Sequence, residues 1–121
     1  MARIIVVDDA PEIVSTVSQT LRSVGHAVSA VAADAQTEAR IGEEHPDLVL
    51  LDIVMPERNG FEILRGLRRR AETRACPVVV VSRKSEASDQ KWARMQGATD
   101  FLAKPFTAEQ LLAVVARNLG A

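Results

Sequence analysis

The sequence predicts an α/β fold: a doubly wound, five-stranded parallel sheet with helices on both faces. Three observations point there. Short apolar runs alternate with longer amphipathic ones along the whole chain. The short runs are apolar at consecutive positions, as strands covered on both faces must be. Cap residues, Pro and Gly fall between the runs, where helices begin and end. Five such β-α units in strict alternation imply parallel strands joined by right-handed crossovers.

The elements follow in order. Arg3-Ile4-Ile5-Val6-Val7 is β-branched and too short for a stable helix, so it reads as the first strand. Pro11 suits a first helical turn, and Ile13, Val14, Val17, Leu21 and Val24 follow at helical spacing until Gly25 closes the helix. Ala27–Val31 is a second, weaker strand, and Asp34 is expected to cap a helix running to about Glu44. Asp47–Asp52 is the third strand. Pro56, Asn59 and Gly60 mark a loop before a third helix carrying Phe61, Ile63, Leu64 and Leu67. Val78–Val81 is the fourth strand, Glu86–Gln96 the fourth helix closed by Gly97, and Thr99–Ala103 the fifth strand. Thr107 caps a last helix through Leu119.

With 121 residues the chain suits one domain, residues 1–121. Its 47% hydrophobic content provides a core, and only 3% aromatic residues means that core is mainly Val, Leu, Ile and Ala. The single Cys76 excludes an internal disulfide and reads as inert, and no secretory segment is visible, so a cytoplasmic location is expected. No apolar run approaches the ~20 residues of a membrane span. The net charge of −1 hides an asymmetry: residues 1–60 hold 4 basic and 10 acidic side chains, residues 61–121 hold 11 and 6. The run Arg68-Arg69-Arg70 reads as a solvated helix face. Without a DNA-reading motif or a basic balance, direct nucleic-acid binding is not expected.

The chemistry collects at the strand ends. The first strand ends in Asp8-Asp9, the third in Asp52, the fourth in Ser82 and the fifth in Lys104. Open α/β sheets bind ligands beyond the carboxyl ends of their strands, where strand order reverses. Polar residues commonly end strands, which explains any one of these but not the set. Three carboxylates and one ammonium leave an excess of negative charge, which must raise carboxyl pKa values or attract a cation. Hard oxygen ligands suit Mg²⁺, and no His or Cys completes a zinc site. A carboxylate beside Mg²⁺ and Lys104 can attack an activated phosphoryl group. Asp52, at the end of the most apolar strand and before a loop, is the best nucleophile, with Asp8 and Asp9 as the metal clamp. No separate base is present for turnover of an external substrate, so an ordinary enzyme is not expected.

These residues resemble the receiver domain of bacterial two-component response regulators, of the single-domain chemotaxis type. The resemblance spans essentially the whole chain and rests on Asp8-Asp9, on Asp52-Ile53-Val54-Met55-Pro56 with Gly60, on Ser82, and on Lys104-Pro105-Phe106. It implies the strand order 2-1-3-4-5. It implies that Asp52 accepts phosphate from a sensor histidine kinase, a phosphotransfer protein or acetyl phosphate. Mg²⁺ would be bound by Asp9 directly, by Asp8 mainly through water, by Asp52 and by the Val54 backbone carbonyl. Lys104 would contact the phosphoryl oxygens, and the Lys104-Pro105 bond would be cis. Ser82 would swing toward the phosphate and Phe101 would follow, remodelling the face of the fourth helix, fifth strand and fifth helix for a downstream protein partner. The segment from Asp89-Gln90-Lys91-Trp92 through Phe101, ahead of Lys104-Pro105, is similar to single-domain regulators of type IV pilus twitching motility.

By pattern alone Trp92 is a packing residue, and Met55 and Pro56 shape a loop. Two positions depart from the family. Arg83 stands where a small residue generally leaves the phosphate accessible, and either covers the site or binds phosphate. Val54 and Lys84 occupy positions that tune loss of phosphate, and an apolar Val54 gives no help to an attacking water. Two rival readings are a Mg²⁺-dependent phosphohydrolase with an aspartyl intermediate, and a receiver fragment of a longer transcription factor. The first needs a second acid/base carboxylate, but Val54 stands two residues after Asp52.

Overall fold

The computed structural model describes residues 1–119; the last two residues of the expected domain, 120 and 121, lie outside it. Strands β1 (Arg3–Val7), β2 (Ala27–Ala30), β3 (Leu48–Asp52), β4 (Val78–Ser82) and β5 (Asp100–Ala103) alternate with helices α1 (Pro11–Ser23), α2 (Thr37–Glu44), α3 (Gly60–Arg69), α4 (Ala87–Met95) and α5 (Ala108–Asn118). The strands form one parallel sheet in the order β2-β1-β3-β4-β5, as expected. Strand order reverses between β1 and β3.

The continuous apolar runs resolve into two cores by simple alternation. Ile5, Val7, Val49, Leu51, Val78 and Val80 point to one face and pack with Ile41, Ile63, Leu64, Leu67 and Ala93 from α2, α3 and α4. Their neighbours Ile4, Val6, Leu48, Leu50, Val79 and Val81 meet Val17, Leu21, Leu111, Val114 and Val115 from α1 and α5. Every residue of β3 and β4 is buried, so Asp52 and Ser82 end strands that are held on both faces.

Helix termini follow the local chemistry. Pro11 begins α1, and Gly25 follows its end at φ +95°. Asn59 accepts from the Phe61 N–H at the start of α3, and reciprocal side-chain caps join Glu86 to Asp89 and Thr107 to Gln110. One cap is displaced. Asp34 does not start α2; its carboxylate accepts from the Gln36 N–H and its backbone exchanges bonds with Thr37, closing a turn that delays the helix to Thr37. Asp side chains favour such local turns as strongly as caps.

Arg68 departs from the solvated face expected of its run. Its guanidinium donates to the carbonyls of Gly97 at 2.9 Å and Cys76 at 2.8 Å, tying the end of α3 to the turns before β4 and β5. Burial lowers its pKa below the ordinary arginine value. Cys76 is half-buried, and burial pushes its thiol pKa up, in keeping with an inert thiol. No helix of the described residues is long and apolar enough to cross a membrane.

Candidate functional site

Parallel register aligns the carboxyl ends of β1, β3, β4 and β5, because Val7 pairs with Leu51, Asp52 with Val81, and Ser82 with Ala103. Asp8, Asp9, Asp52 and Lys104 therefore meet at one rim. One carboxylate oxygen from each of Asp8, Asp9 and Asp52 lies within 4.8 Å of the others. Asp52 is buried, Asp8 half-buried and Asp9 exposed, so the cluster opens to solvent on the Asp9 side.

Lys104 crosses this cluster. Its Nζ donates to Asp8 Oδ2 at 2.8 Å and stands 3.6 Å from Asp52 Oδ1. The other Asp8 oxygen accepts from the Ala10 N–H at 2.9 Å, so both Asp8 oxygens have protein partners. Among the described residues, Asp52 Oδ1 accepts only from the Ile53 N–H, at 2.9 Å. The freest oxygens belong to Asp9 and Asp52. Burial first, then the negative charge of Asp8, raises the Asp52 pKa, with Lys104 partly offsetting both. An all-oxygen set with excess negative charge fits a hard divalent cation such as Mg²⁺ better than any softer metal.

The other expected residues occupy the flanks. Val54 is 65% exposed in the loop after β3. Ser82 is buried, with Oγ accepting from the Lys84 N–H at 3.2 Å. Ser82 and Phe101 line one cavity of about 290 Å³, with Phe61, Lys84 and Trp92 at its walls. No direct bond joins Ser82 to the carboxylate cluster among the described residues. The Lys104-Pro105 bond is cis, as the resemblance implied. Trp92 packs edge-on against Phe61, with centroids 6.4 Å apart and rings at 86°. It remains 49% exposed, so it packs on one side only.

Two supporting contacts escaped the sequence reading. Gly60 donates to the Ile53 carbonyl at 2.9 Å, and a Cβ on it would collide with the Asp52 carbonyl oxygen and lie 2.7 Å from Ile53 Cα. Sequence reading marked it as a loop glycine and as part of the family resemblance, without revealing that approach. Arg58 grips Glu38 and Glu62 and donates to the Asp34 carbonyl, anchoring the loop after β3 to α2. Only its i,i+4 spacing to Glu62 was visible in the sequence.

The model of the response regulator receiver domain matches residues 4–116. The chain belongs to that family. Among curated relatives, this receiver is 42% identical to protein PilH of Pseudomonas aeruginosa over 115 residues, covering 95% of each chain. It is 34% identical to the DNA-binding dual master transcriptional regulator RpaA of Synechocystis, covering 95% of this chain but 48% of that protein. Chemotaxis protein CheY4 of Vibrio cholerae superposes with a TM-score of 0.89 at 29% identity, over 97% of the receiver and 98% of that chain. The BeF3-activated receiver domain of Klebsiella pneumoniae RstA gives 0.88 at 28% identity, over 98% and 99%. The likeness thus runs to single-domain receivers of the chemotaxis and pilus type.

Proposed function

We propose that residues 1–121 act as one phosphorylation-switched unit in which Asp52 is the phosphoacceptor. The observation that carries this reading is the convergence of three carboxylates with Lys104, whose Nζ lies 3.6 Å from Asp52. Asp52 takes the phosphoryl group from a sensor histidine kinase, a phosphotransfer protein or acetyl phosphate. Asp9, Asp52 and the Val54 carbonyl would hold Mg²⁺, with Asp8 mainly through water, and the ion would supply positive charge to the phosphoryl oxygens. Lys104 supplies a second cation, and Asp8 positions it through the 2.8 Å bond. Asp52 attacks as a carboxylate, with no proton to lose, so no base is needed. Its new O–P bond forms as the donor's bond to phosphorus breaks, and acetate or imidazole leaves with that electron pair.

Phosphorylation is read through Ser82 and Phe101, which share the cavity beneath α4. Their rearrangement alters the α4-β5-α5 face for a downstream protein in the cytoplasm. A net charge of only −1 and no DNA-reading motif support a protein rather than DNA as that partner.

The test is intact mass after incubation with acetyl phosphate, with and without Mg²⁺, for wild type and Asp52→Asn. One added phosphoryl group that requires Mg²⁺ and disappears in the variant is the expected result. Failure with both acetyl phosphate and a histidine kinase, or an adduct that persists in Asp52→Asn, overturns the reading.

A further inference from the structure

Arg83 follows directly on Ser82 at the end of β4 and is exposed. No carboxylate pairs with it among the salt bridges of the described residues. It lines a cleft of about 400 Å³ together with Ile13, Thr16, Lys104, Pro105 and Phe106. Arg83 and Lys104 thus border one opening, between α1 and the start of α5, and Lys104 also reaches Asp8 and Asp52.

The charge balance of that rim leaves work for a second protein cation. Lys104 is nearer to Asp8, at 2.8 Å, than to Asp52, at 3.6 Å, so much of its charge is already matched. An incoming phosphoryl group adds about two negative charges. A guanidinium fork fits two phosphoryl oxygens at once and loses less hydration than an ammonium on doing so. The competing view, that Arg83 merely covers the site, leaves an unpaired cation in the same cleft as Lys104 without a role.

We propose that Arg83 is a donor-binding residue, its guanidinium holding the phosphoryl oxygens of an acyl phosphate or phosphohistidine donor beside Lys104. The inference rests on Asp52 being the phosphoacceptor. With acetyl phosphate, an Asp52 oxygen forms the new O–P bond as the bond from phosphorus to the acetyl oxygen breaks. Acetate leaves with that electron pair, and no proton moves. Arg83 binds the donor before the transfer, so it acts on donor saturation more than on the maximal rate.

The experiment is the rate of Asp52 phosphorylation against acetyl phosphate concentration at fixed Mg²⁺, for wild type, Arg83→Ala and Arg83→Lys. Removing one charge-assisted contact is expected to raise the half-saturating donor concentration about tenfold, with the maximal rate little changed. Arg83→Lys recovers part of the loss, and Mg²⁺-dependent BeF3⁻ binding weakens in parallel without any chemistry. Thermal melting of the variants checks the fold. Faster phosphorylation of Arg83→Ala at every donor concentration makes Arg83 a cover and overturns the proposal, as does an unchanged half-saturation. No adduct on wild-type Asp52 from either kind of donor instead overturns the phosphoacceptor reading itself.

Discussion

Arg58 grips Glu38 through two parallel hydrogen bonds, Nη1 to Oε1 at 2.6 Å and Nη2 to Oε2 at 2.9 Å. Their side chains are only 17% and 16% exposed, so the pair is largely withdrawn from water. Removing one partner leaves the other charge poorly solvated, the expensive way to break such a pair. Arg58→Ala is expected to lower stability by about 2 kcal/mol. Urea denaturation checks it, and a midpoint equal to wild type's contradicts it.

Asp52 sits in the opposite electrostatic position. Burial and Asp8 raise its pKa, so at neutral pH its ionised form is held against a penalty. A raised folded pKa contributes stability below the unfolded value, and that contribution is lost as pH rises through the folded one. Asp52→Asn is therefore expected to be more stable than wild type in EDTA at neutral pH, by on the order of 1 kcal/mol, and so to melt higher. Mg²⁺ raises the wild-type melting temperature and moves the variant much less. Scanning both proteins with EDTA and then with Mg²⁺ decides it; equal Mg²⁺ shifts remove Asp52 from the metal site.

Gly60 packs against the end of β3 so closely that a methyl group has no room beside Ile53 Cα and the Asp52 carbonyl. These obstacles are backbone atoms, which cannot step aside as a flexible side chain does. Gly60→Ala is expected to destabilise by about 2 kcal/mol or more and to slow adduct formation by displacing Asp52. Circular dichroism melts and the mass assay together test both effects.

Asp100 governs acid behaviour at the other end of β5. Burial favours its neutral form, but bonds from Arg117, Asn118 and the Phe101 N–H outweigh burial and hold its pKa far below the usual carboxylate range. A depressed folded pKa contributes stability above the unfolded value, about 4, and loses it as pH falls further. Asp100→Asn is expected to weaken the protein at pH 7 and to flatten its loss of stability below pH 4. Parallel melts at both pH values measure this, and parallel curves for the two proteins refute it.

Val54 stands exposed in the loop after β3, two residues past Asp52, with a side chain that neither donates nor accepts hydrogen bonds. Phosphate loss needs a positioned water. The phosphorylated protein is expected to persist well beyond seconds in Mg²⁺ buffer, and Val54→Asn to shorten that lifetime. Decay of the mass adduct gives both numbers; a wild-type lifetime of seconds rules out the role given to Val54.

Much of this architecture was legible because strands and helices here obey opposite periodicities. The runs Ile4–Val7, Leu48–Leu51 and Val78–Val81 are apolar at every position, and the sheet buries both of their faces. Strand-end placement brought Asp8, Asp9, Asp52 and Lys104 into one reading, since parallel register gathers carboxyl termini. What escaped depended on distance across the fold. Arg68 looked like part of a solvated run because nothing local shows that the Cys76 and Gly97 carbonyls come within its reach. Asp34 carried a cap signal, but Thr37 offered its backbone a competing turn. Glu38 and Arg58 are twenty positions apart, beyond any periodic pattern.

Helix α4 buries one residue, Ala93, among its nine. Burying a methyl group removes little apolar area from water, so the helix is fastened mainly by its ends and by the Trp92–Phe61 edge contact. In thermodynamic terms it is a less committed helix than α1, α3 and α5, and its amides should exchange with deuterated solvent ahead of theirs. Redistributing so lightly held an element takes only a few kcal/mol of preference, a scale that a handful of new charge-assisted hydrogen bonds can meet.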